Sequence, residues 1–501
     1  MLGMHPTQTQ GGWQRTAHGR WMRECTGGEN GVSYNQNVRD GHTELTIEVA
    51  FTASISTPQL IQRVRNAWLL AHATHPEVAI QVSTGTELPQ EMTFEALQSE
   101  SDAAHWLQET LRVVNDQTAQ DVARMTYSRR LLTKGKRNML YLVTAGAAHP
   151  GHPDRHSLVR NLSHTLADVY SVVQFYNYFL ETITLVPGDR DVTVGELDYS
   201  GVFDRLPATP MTPYEAQYKP TNDQKEHAIA GAISQAELYA DKMPQSIAMY
   251  PEADVGTRSH ETHCIRLQYT LLESKALLAA LRDEKISITF AAAAASVLAV
   301  KQTYGKGHET GALLGMTRNA RRWVKTGERQ EGGQRVPCAS DVVFLWVPFQ
   351  PEWFTGSTRD TILCLARAIR SELAPHLTSP HYIASLTFTS NRFVAALAAE
   401  GEPVPAPQAP GFSPQGALAL GRRFASHTAA IDTHDFIHSG RQINPSAWVG
   451  MFSLWEEITL SMGFDGKYYD PGSMDRFMAL VKSNLATVIP SQLAQVASSK
   501  L

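Results

Sequence analysis

Apolar residues alternate with polar ones at Leu45, Ile47, Val49 and Phe51, a period of two that predicts a strand with one buried face. The period then changes to that of a helix. Thr57 as N-cap and Pro58 at the first helical position open a run in which Leu60, Ile61, Val64, Ala67, Trp68 and Ala71 recur at helical spacing until His75-Pro76 ends it. Strand signals return at Val78, Ile80 and Val82, a helix is predicted over 104–113, and residues 138–143 are apolar on both faces, as in a central strand. A loop over 147–156 holds two prolines, a glycine and the histidines His149, His152 and His156. An extended run, 157–162, precedes a helix over 168–180 whose stripe is Val169, Val172, Val173, Tyr176, Phe179 and Leu180.

From Pro187 to about Ser259 the periodicity weakens around one helical piece, 228–239, which suits a long crossover between two halves. The second half repeats the alternation: strand 264–270, helix 273–281, an Ala-rich helix 289–304, strands 312–316 and 342–349, and helix 361–373. Prolines at 403, 405, 407, 410 and 414 predict an extended, flexible loop. The end is regular again, with a strand over 449–461, an Asp-Gly turn at Asp465-Gly466, a returning strand over 467–469 and an amphipathic helix over 474–489.

Composition narrows the function classes. The chain has 501 residues, 43% hydrophobic and 19% charged, with a formal net charge of −5. No basic surplus is available to neutralise nucleic-acid phosphates. No window reaches the ~18 apolar residues of a membrane span. Cys25, Cys264, Cys338 and Cys364 are far apart and form no C-x-x-C pair, which argues against a zinc ribbon or a disulfide framework and for a reducing, cytoplasmic setting. Residues 1–30 lack the apolar segment of a secretory signal and are expected to be a disordered leader. No carboxylate or cysteine is read as completing a tetrahedral set with His149, His152 and His156, so no metal site is expected there.

One short motif carries candidate chemistry: His164-Thr165-Leu166-Ala167-Asp168, after an extended run and opening an amphipathic helix. About one H-x-x-x-D is expected by chance in a chain with this many histidines, so context decides its weight. A histidine held in the turn before a helix can present a ring nitrogen to a cleft, and a carboxylate four residues on can hold the turn through a distant arginine.

The whole pattern resembles the chloramphenicol-acetyltransferase-like superfamily, which includes plant BAHD acyltransferases, fungal trichothecene 3-O-acetyltransferases and peptide-synthetase condensation domains. The first strand, the helix ending in His75-Pro76, the H-x-x-x-D at one-third of the length, the crossover and the closing strand, Asp-Gly turn, strand and helix all match, over about 43–490. The resemblance implies an α/β fold of two lobes, each a mixed sheet flanked by helices, with a tunnel between them. It places the first lobe at 31–205, the crossover at 206–260 and the second lobe at 261–495. It implies His164 as the general base, Asp168 as a structural carboxylate, and Arg318 of the second lobe as its partner. Ser413, Gln415 and Gly416 stand where an oxyanion donor or turn is expected. The implied function is acyl transfer from coenzyme A, or from a carrier-protein thioester, to a hydroxyl or amine of a small secondary metabolite. Acyl-CoA is then a co-substrate, no cofactor is bound, and the protein is a monomer.

The chain departs from two of these branches. Ser413-Pro414-Gln415-Gly416 stands in place of the plant Asp-Phe-Gly-Trp-Gly, and Ser163 and Val169 flank the motif where condensation domains carry His and Gly. Val169 beside the turn leaves two alternatives open: the same fold used for cyclisation, rearrangement or dehydration of a biosynthetic intermediate, or a non-catalytic metabolite binder.

Overall fold

The structure, a computed structural model, describes residues 12–17, 19–131, 138–252, 257–324, 336, 338–400 and 408–490. Two six-stranded mixed sheets organise it. The first runs in the order Arg423–Ala425, Ala430–Gly440, Leu45–Ala53, His156–Leu162, Asn138–Val143, Leu111–Val114. Its last pair is parallel and the others are antiparallel. Helices Thr57–Thr74 and Val169–Leu185 pack against each other in its core, burying Leu60, Val64 and Trp68 from one and Val172, Tyr176 and Phe179 from the other. Those are the stripes that the helical spacing marks out.

The second sheet runs Ser340–Pro348, Gly311–Asn319, Gly411–Leu418, Trp448–Leu454, Glu457–Asp465, Thr262–Gln268, with Gly411–Leu418 parallel to both neighbours. Its core contains helix Ile288–Tyr304, in which every residue from Ala291 to Val300 is buried. Helices Thr358–Leu373 and Pro471–Ala486 pack against it. The run of alanines suits this place, because small side chains let a helix approach its neighbours closely. The architecture is therefore the anticipated one of two lobes, each a mixed sheet flanked by helices. No single helix among the described residues is long and apolar enough to cross a membrane.

Four features differ from the sequence reading. The boundary at residue 261 does not divide the lobes, because Arg423–Ala425 and Ala430–Gly440 leave the second half and join the first sheet, Phe436 opposite Val49 and Gly440 opposite Leu45. Their pattern, Ala-Ile-Asp-Thr-His-Asp-Phe-Ile-His-Ser, shows a strand only weakly and carries no information about which sheet receives it. The closing hairpin turns at Trp455 and Glu456, both in the left-handed region with φ of 51° and 71°, and not at Asp465-Gly466. Neither residue favours that region, so turn chemistry could not reveal it. Pro414 lies inside strand Gly411–Leu418, while Pro403, Pro405 and Pro407 fall outside the described residues.

The fourth difference is the leader. Residues 1–11 and 18 lie outside the described residues, but the described residues between 13 and 38 include two strands and a helix. Gln14–Arg15 and Trp21–Glu24 form a small sheet with Glu91–Phe94 and Gln81–Val82, and helix Gly28–Val38 packs on Leu386–Glu400. These strands are too short for alternation to register. Arg23 makes a buried two-pronged bond to Glu29 at 2.6 and 2.7 Å, and Trp13 is fully buried with its Nε1 donating to Pro207 O at 2.8 Å. Within the crossover, helix Asn222–Lys242 has no fully buried residue, yet Gln235 accepts from the Phe344 N–H at 3.2 Å and so covers the edge strand Ser340–Pro348.

Replacing Trp13 with Ala should lower the unfolding free energy by about 3–5 kcal/mol, the usual cost of emptying a buried aromatic site. Urea denaturation checks this; a disordered leader would give no change.

Candidate active site

Strand His156–Leu162 ends in a tight turn that presents His164. The Leu166 N–H donates to Ser163 O at 3.0 Å. The Ser163 hydroxyl accepts from the Thr165 N–H at 3.2 Å and donates to Gln36 Oε1 at 2.5 Å. Ser163 and Thr165 are buried, while His164 between them is half-buried and therefore reachable. The departure at Val169 does not crowd this turn, since its side chain joins the first lobe's core.

Asp168 closes the turn and starts the next helix. Its Oδ1 accepts from the Ser171 N–H at 3.1 Å, an N-cap for Val169–Leu185. Its Oδ2 accepts from Arg321 at 2.7 Å and from the Ala339 N–H at 3.1 Å, both in the second lobe. Burial pushes the carboxyl pKa up, but the Arg321 charge and these N–H donors outweigh it, holding the group below the ordinary carboxylate range.

The arginine partner thus differs from the expected one. Arg318 sits opposite Asp341 in the ladder and binds it through Nε at 2.9 Å and a terminal nitrogen at 2.8 Å, with its guanidinium 3.6 Å from the Tyr382 ring centroid. Arg321 follows the strand end at Asn319, in a helical turn that carries it beyond the sheet to the first lobe. The two arginines are only three positions apart, and spacing alone could not choose between them.

Sequence reasoning also missed residues 338 and 339. The Cys338 Sγ lies 3.9 Å from His164 Nδ1. Burial and the nearby Asp168 charge push the Cys338 thiol up to about 12 despite Arg321, so it is neutral near pH 7. Nothing in the sequence around Cys338 links it to a motif 174 residues earlier.

Ser413 and Gln415 stand on the side of the second sheet that faces the first lobe. Along one register row lie Thr317, Ser413, Gly450, Ser461 and Arg266. Residues one position off, such as Met316, Phe412, Val449 and Met462, point into the second core. Arg266 reaches Asp435 of the first sheet at 2.7 Å, and Cys264 contacts His438 O at 3.9 Å, so this row floors the space between the lobes. The hydroxyls of Thr317 and Ser413 are 3.2 Å apart. Gly416 is exposed, with a φ of 70° that only glycine adopts readily, and it directly follows Gln415, the extra residue of a bulge between Pro414 and Gly416.

The histidine loop disperses. His149 Nε2 is 2.8 Å from Ser157 Oγ, while His156 Nδ1 accepts from the Ala145 N–H at 2.9 Å. Among the described residues no group of three or more His, Cys, Asp or Glu is arranged to hold a metal ion. Ser157 donates to Glu48 at 2.7 Å. Burial, reinforced by Asp435, pushes the Glu48 carboxyl up to about 7 against the opposing effects of Ser157 and Arg266.

No family model matches the sequence. A curated protein, the acyl-CoA-dependent acyltransferase MAC1 of Pseudozyma antarctica (strain T-34), is 35% identical over 95% of this chain and 98% of its own length. Among solved structures, the trichothecene 15-O-acetyltransferase TRI3 of Fusarium sporotrichioides superposes with a TM-score of 0.77 at 15% identity, covering 98% of this chain and 100% of that one. The condensation domain of the Monacolin K polyketide synthase MokA superposes at 0.60 with 12% identity, covering 93% and 97%.

Two predictions follow from the ionisable groups. Arg321→Ala leaves the Asp168 carboxylate buried without its cation and should cost about 3–5 kcal/mol at pH 7. Because the Asp168 pKa is depressed in the fold, its contribution is complete above the unfolded value of about 3.9 and is lost as pH falls through the folded value, so the variant's deficit should shrink in acid. Denaturant titrations at pH 7 and pH 3 read both effects. Glu48 has the opposite sign. Its raised pKa favours the fold below about 4.3, and that advantage is lost as pH rises through about 7. Glu48→Gln should therefore gain a few kcal/mol relative to the parent at pH 8 over pH 4, measured as the difference in unfolding midpoints.

Proposed function

Because the chain belongs to the chloramphenicol-acetyltransferase-like superfamily of acyltransferases, we propose that it moves an acyl group from a coenzyme A thioester to a hydroxyl or amine of a small metabolite, with His164 as general base. The observation that carries the reading is the placement of a half-exposed histidine on a turn fixed from both lobes, with a row of hydroxyl side chains on the facing sheet. The name of the relative at 35% identity supports coenzyme A as the donor's carrier.

The chemistry follows from the residues. His164 Nδ1 lies 3.9 Å from the Cys338 sulfur; in the tautomer that carries its proton on Nδ1, Nε2 keeps its lone pair and accepts the acceptor's proton as that group attacks the thioester carbonyl. The tetrahedral intermediate bears an oxyanion, for which the Ser413 hydroxyl, 3.2 Å from that of Thr317, is the candidate donor. Collapse breaks the carbon–sulfur bond, and the protonated imidazole returns its proton to the departing thiolate. Asp168 takes no proton in this scheme; both of its oxygens are engaged in holding the turn.

His164→Ala should lower kcat by about 10²–10⁴ while coenzyme A binding, followed by calorimetry, stays within a few-fold of the parent. Full turnover by the variant would overturn the assignment.

A further inference from the structure

The turn that presents His164 hangs on a side chain to which the proposed reaction gives no part. Gln36 lies in the last turn of helix Gly28–Val38, 127 positions before Ser163, and is 1% exposed. Its Oε1 accepts from the Ser163 hydroxyl at 2.5 Å, and the Ser163 oxygen accepts in turn from the Thr165 N–H at 3.2 Å. A hydroxyl has one hydrogen to give. Once Gln36 takes it, a lone pair of Ser163 is turned to the Thr165 N–H, and the two residues flanking His164 are tied to each other. The helix that carries Gln36 is itself held along its length: the Gly31 N–H donates to Ser390 Oγ at 2.8 Å, the Ser33 hydroxyl to Gln90 Oε1 at 3.0 Å, and the Gly41 N–H to Gln36 O at 2.8 Å. Stability does not explain the glutamine. Gln36 Nε2 is buried with no hydrogen-bond partner among the described residues, and an apolar pair in place of Gln36 and Ser163 would avoid the cost of burying a half-satisfied amide.

We propose that Gln36 is a positioning residue: through the Ser163 hydroxyl it fixes the turn on which His164 stands, and with it the direction in which the imidazole meets its substrate. The inference rests on the reading of His164 as the base. Two clamps then act on the motif from its two ends. Asp168, bound to Arg321 and the Ala339 N–H, holds the end that opens the next helix. Gln36, bound to Ser163, holds the end where strand His156–Leu162 stops. The residues between the clamps, His164 among them, are thereby kept from pivoting about either one, and a displacement of about 1 Å at a reacting group can cost on the order of a hundredfold in rate. The same bond gives the segment before the first lobe's sheet a place in the function. The small sheet containing Trp21–Glu24 and the buried Arg23–Glu29 pair seat the helix whose last turn reaches the motif. Ser163, where condensation domains carry histidine, is then one half of a pair whose other half is Gln36.

The test uses the full-length protein with isotope-labelled histidine, in which the His164 ring signal in magnetic resonance is identified by its loss in His164→Ala. Thiol release from acetyl-coenzyme A is followed beside it, with ethanolamine as an acceptor that offers both a hydroxyl and an amine. Gln36→Leu should broaden or shift the His164 signal while the other histidine signals stay in place, and should lower kcat by about ten- to a hundredfold with little change in the KM for the donor. Ser163→Ala removes the same bond without adding bulk and should do the same, which keeps the test decisive if Gln36→Leu does not fold. The double variant should be no slower than the slower single one, because both changes break one bond. It should also recover part of the unfolding midpoint that Gln36→Leu loses, since both ends of the bond are then apolar, yet without recovering kcat. A glutamine that only stabilises the fold would return kcat together with the midpoint. Full turnover by His164→Ala overturns the reading of His164 as base and this inference with it. An inactive His164→Ala beside an unmoved ring signal in Gln36→Leu and Ser163→Ala overturns this inference alone, as does a displacement of histidine signals throughout the protein. The ring signal decides the matter even for a donor and acceptor that turn over slowly.

Discussion

The Asp168 carboxylate is the point on which the rest of the candidate site depends. One oxygen caps a helix of the first lobe, and the other binds Arg321 and the Ala339 N–H of the second. A single buried group therefore sets the start of the helix, the closure of the His164 turn and the approach of the facing sheet. A buried pair of this kind adds little net stability, because removing two charges from water costs about as much as their attraction returns. Its effect is on geometry: any other arrangement of the lobes would leave the charge without a partner. That also accounts for a motif carboxylate whose two oxygens are both taken up by the protein itself.

The lobes are joined by more than this contact. Strand Ala430–Gly440 leaves the second half to pair with Leu45–Ala53, and just beyond its end Arg441 binds Asp40 O and Tyr127 O at 2.7 and 2.6 Å. Two chain segments separated by nearly the whole sequence are thereby in one sheet. Neither lobe is a contiguous folding unit, and the space between them is fixed by backbone ladders and not by a hinge. The Arg266–Asp435 ion pair ties the middle of the same strand to the edge of the second sheet. A rigid frame of this type suits positioning two substrates against one base, since effective concentration depends on how little each can move.

Much of this was legible in sequence where one local pattern suffices. The helices Thr57–Thr74, Val169–Leu185 and Ile288–Tyr304 each bury a stripe or a whole surface, and their apolar spacing announces it. Strand Asn138–Val143 was equally plain, because both of its faces are apolar. What remained hidden depends on partners distant in the chain. Ala430–Gly440 alternates weakly since one side faces a polar interlobe space. The Trp455-Glu456 turn is held by its ladder and not by residues that favour positive φ. Arg318 and Arg321 carry identical side chains, and only the end of a strand at Asn319 sends one to Asp341 and the other to Asp168. The ordered segment after Trp13 owes its structure to Pro207, Glu91–Phe94 and Leu386–Glu400, none of them near in sequence.

The division of labour between the lobes has a consequence for how this fold changes substrates. The first lobe supplies the histidine on a turn whose every backbone and side-chain bond is to buried neighbours, so alterations there disturb the core as well as the chemistry. The second lobe presents a sheet whose cleft-facing positions, Thr317, Ser413, Gly450 and Ser461, alternate with core positions on the same strands. Each cleft-facing side chain can then change without moving the core residue beside it, as the period of two in a strand requires. Under the proposed function, proton transfer resides in the part of the structure that tolerates least change, and recognition in the part that tolerates most. The different residues found at Ser413-Pro414-Gln415-Gly416, in place of the plant signature, lie on that permissive surface, which is why they can depart from it without loss of the fold.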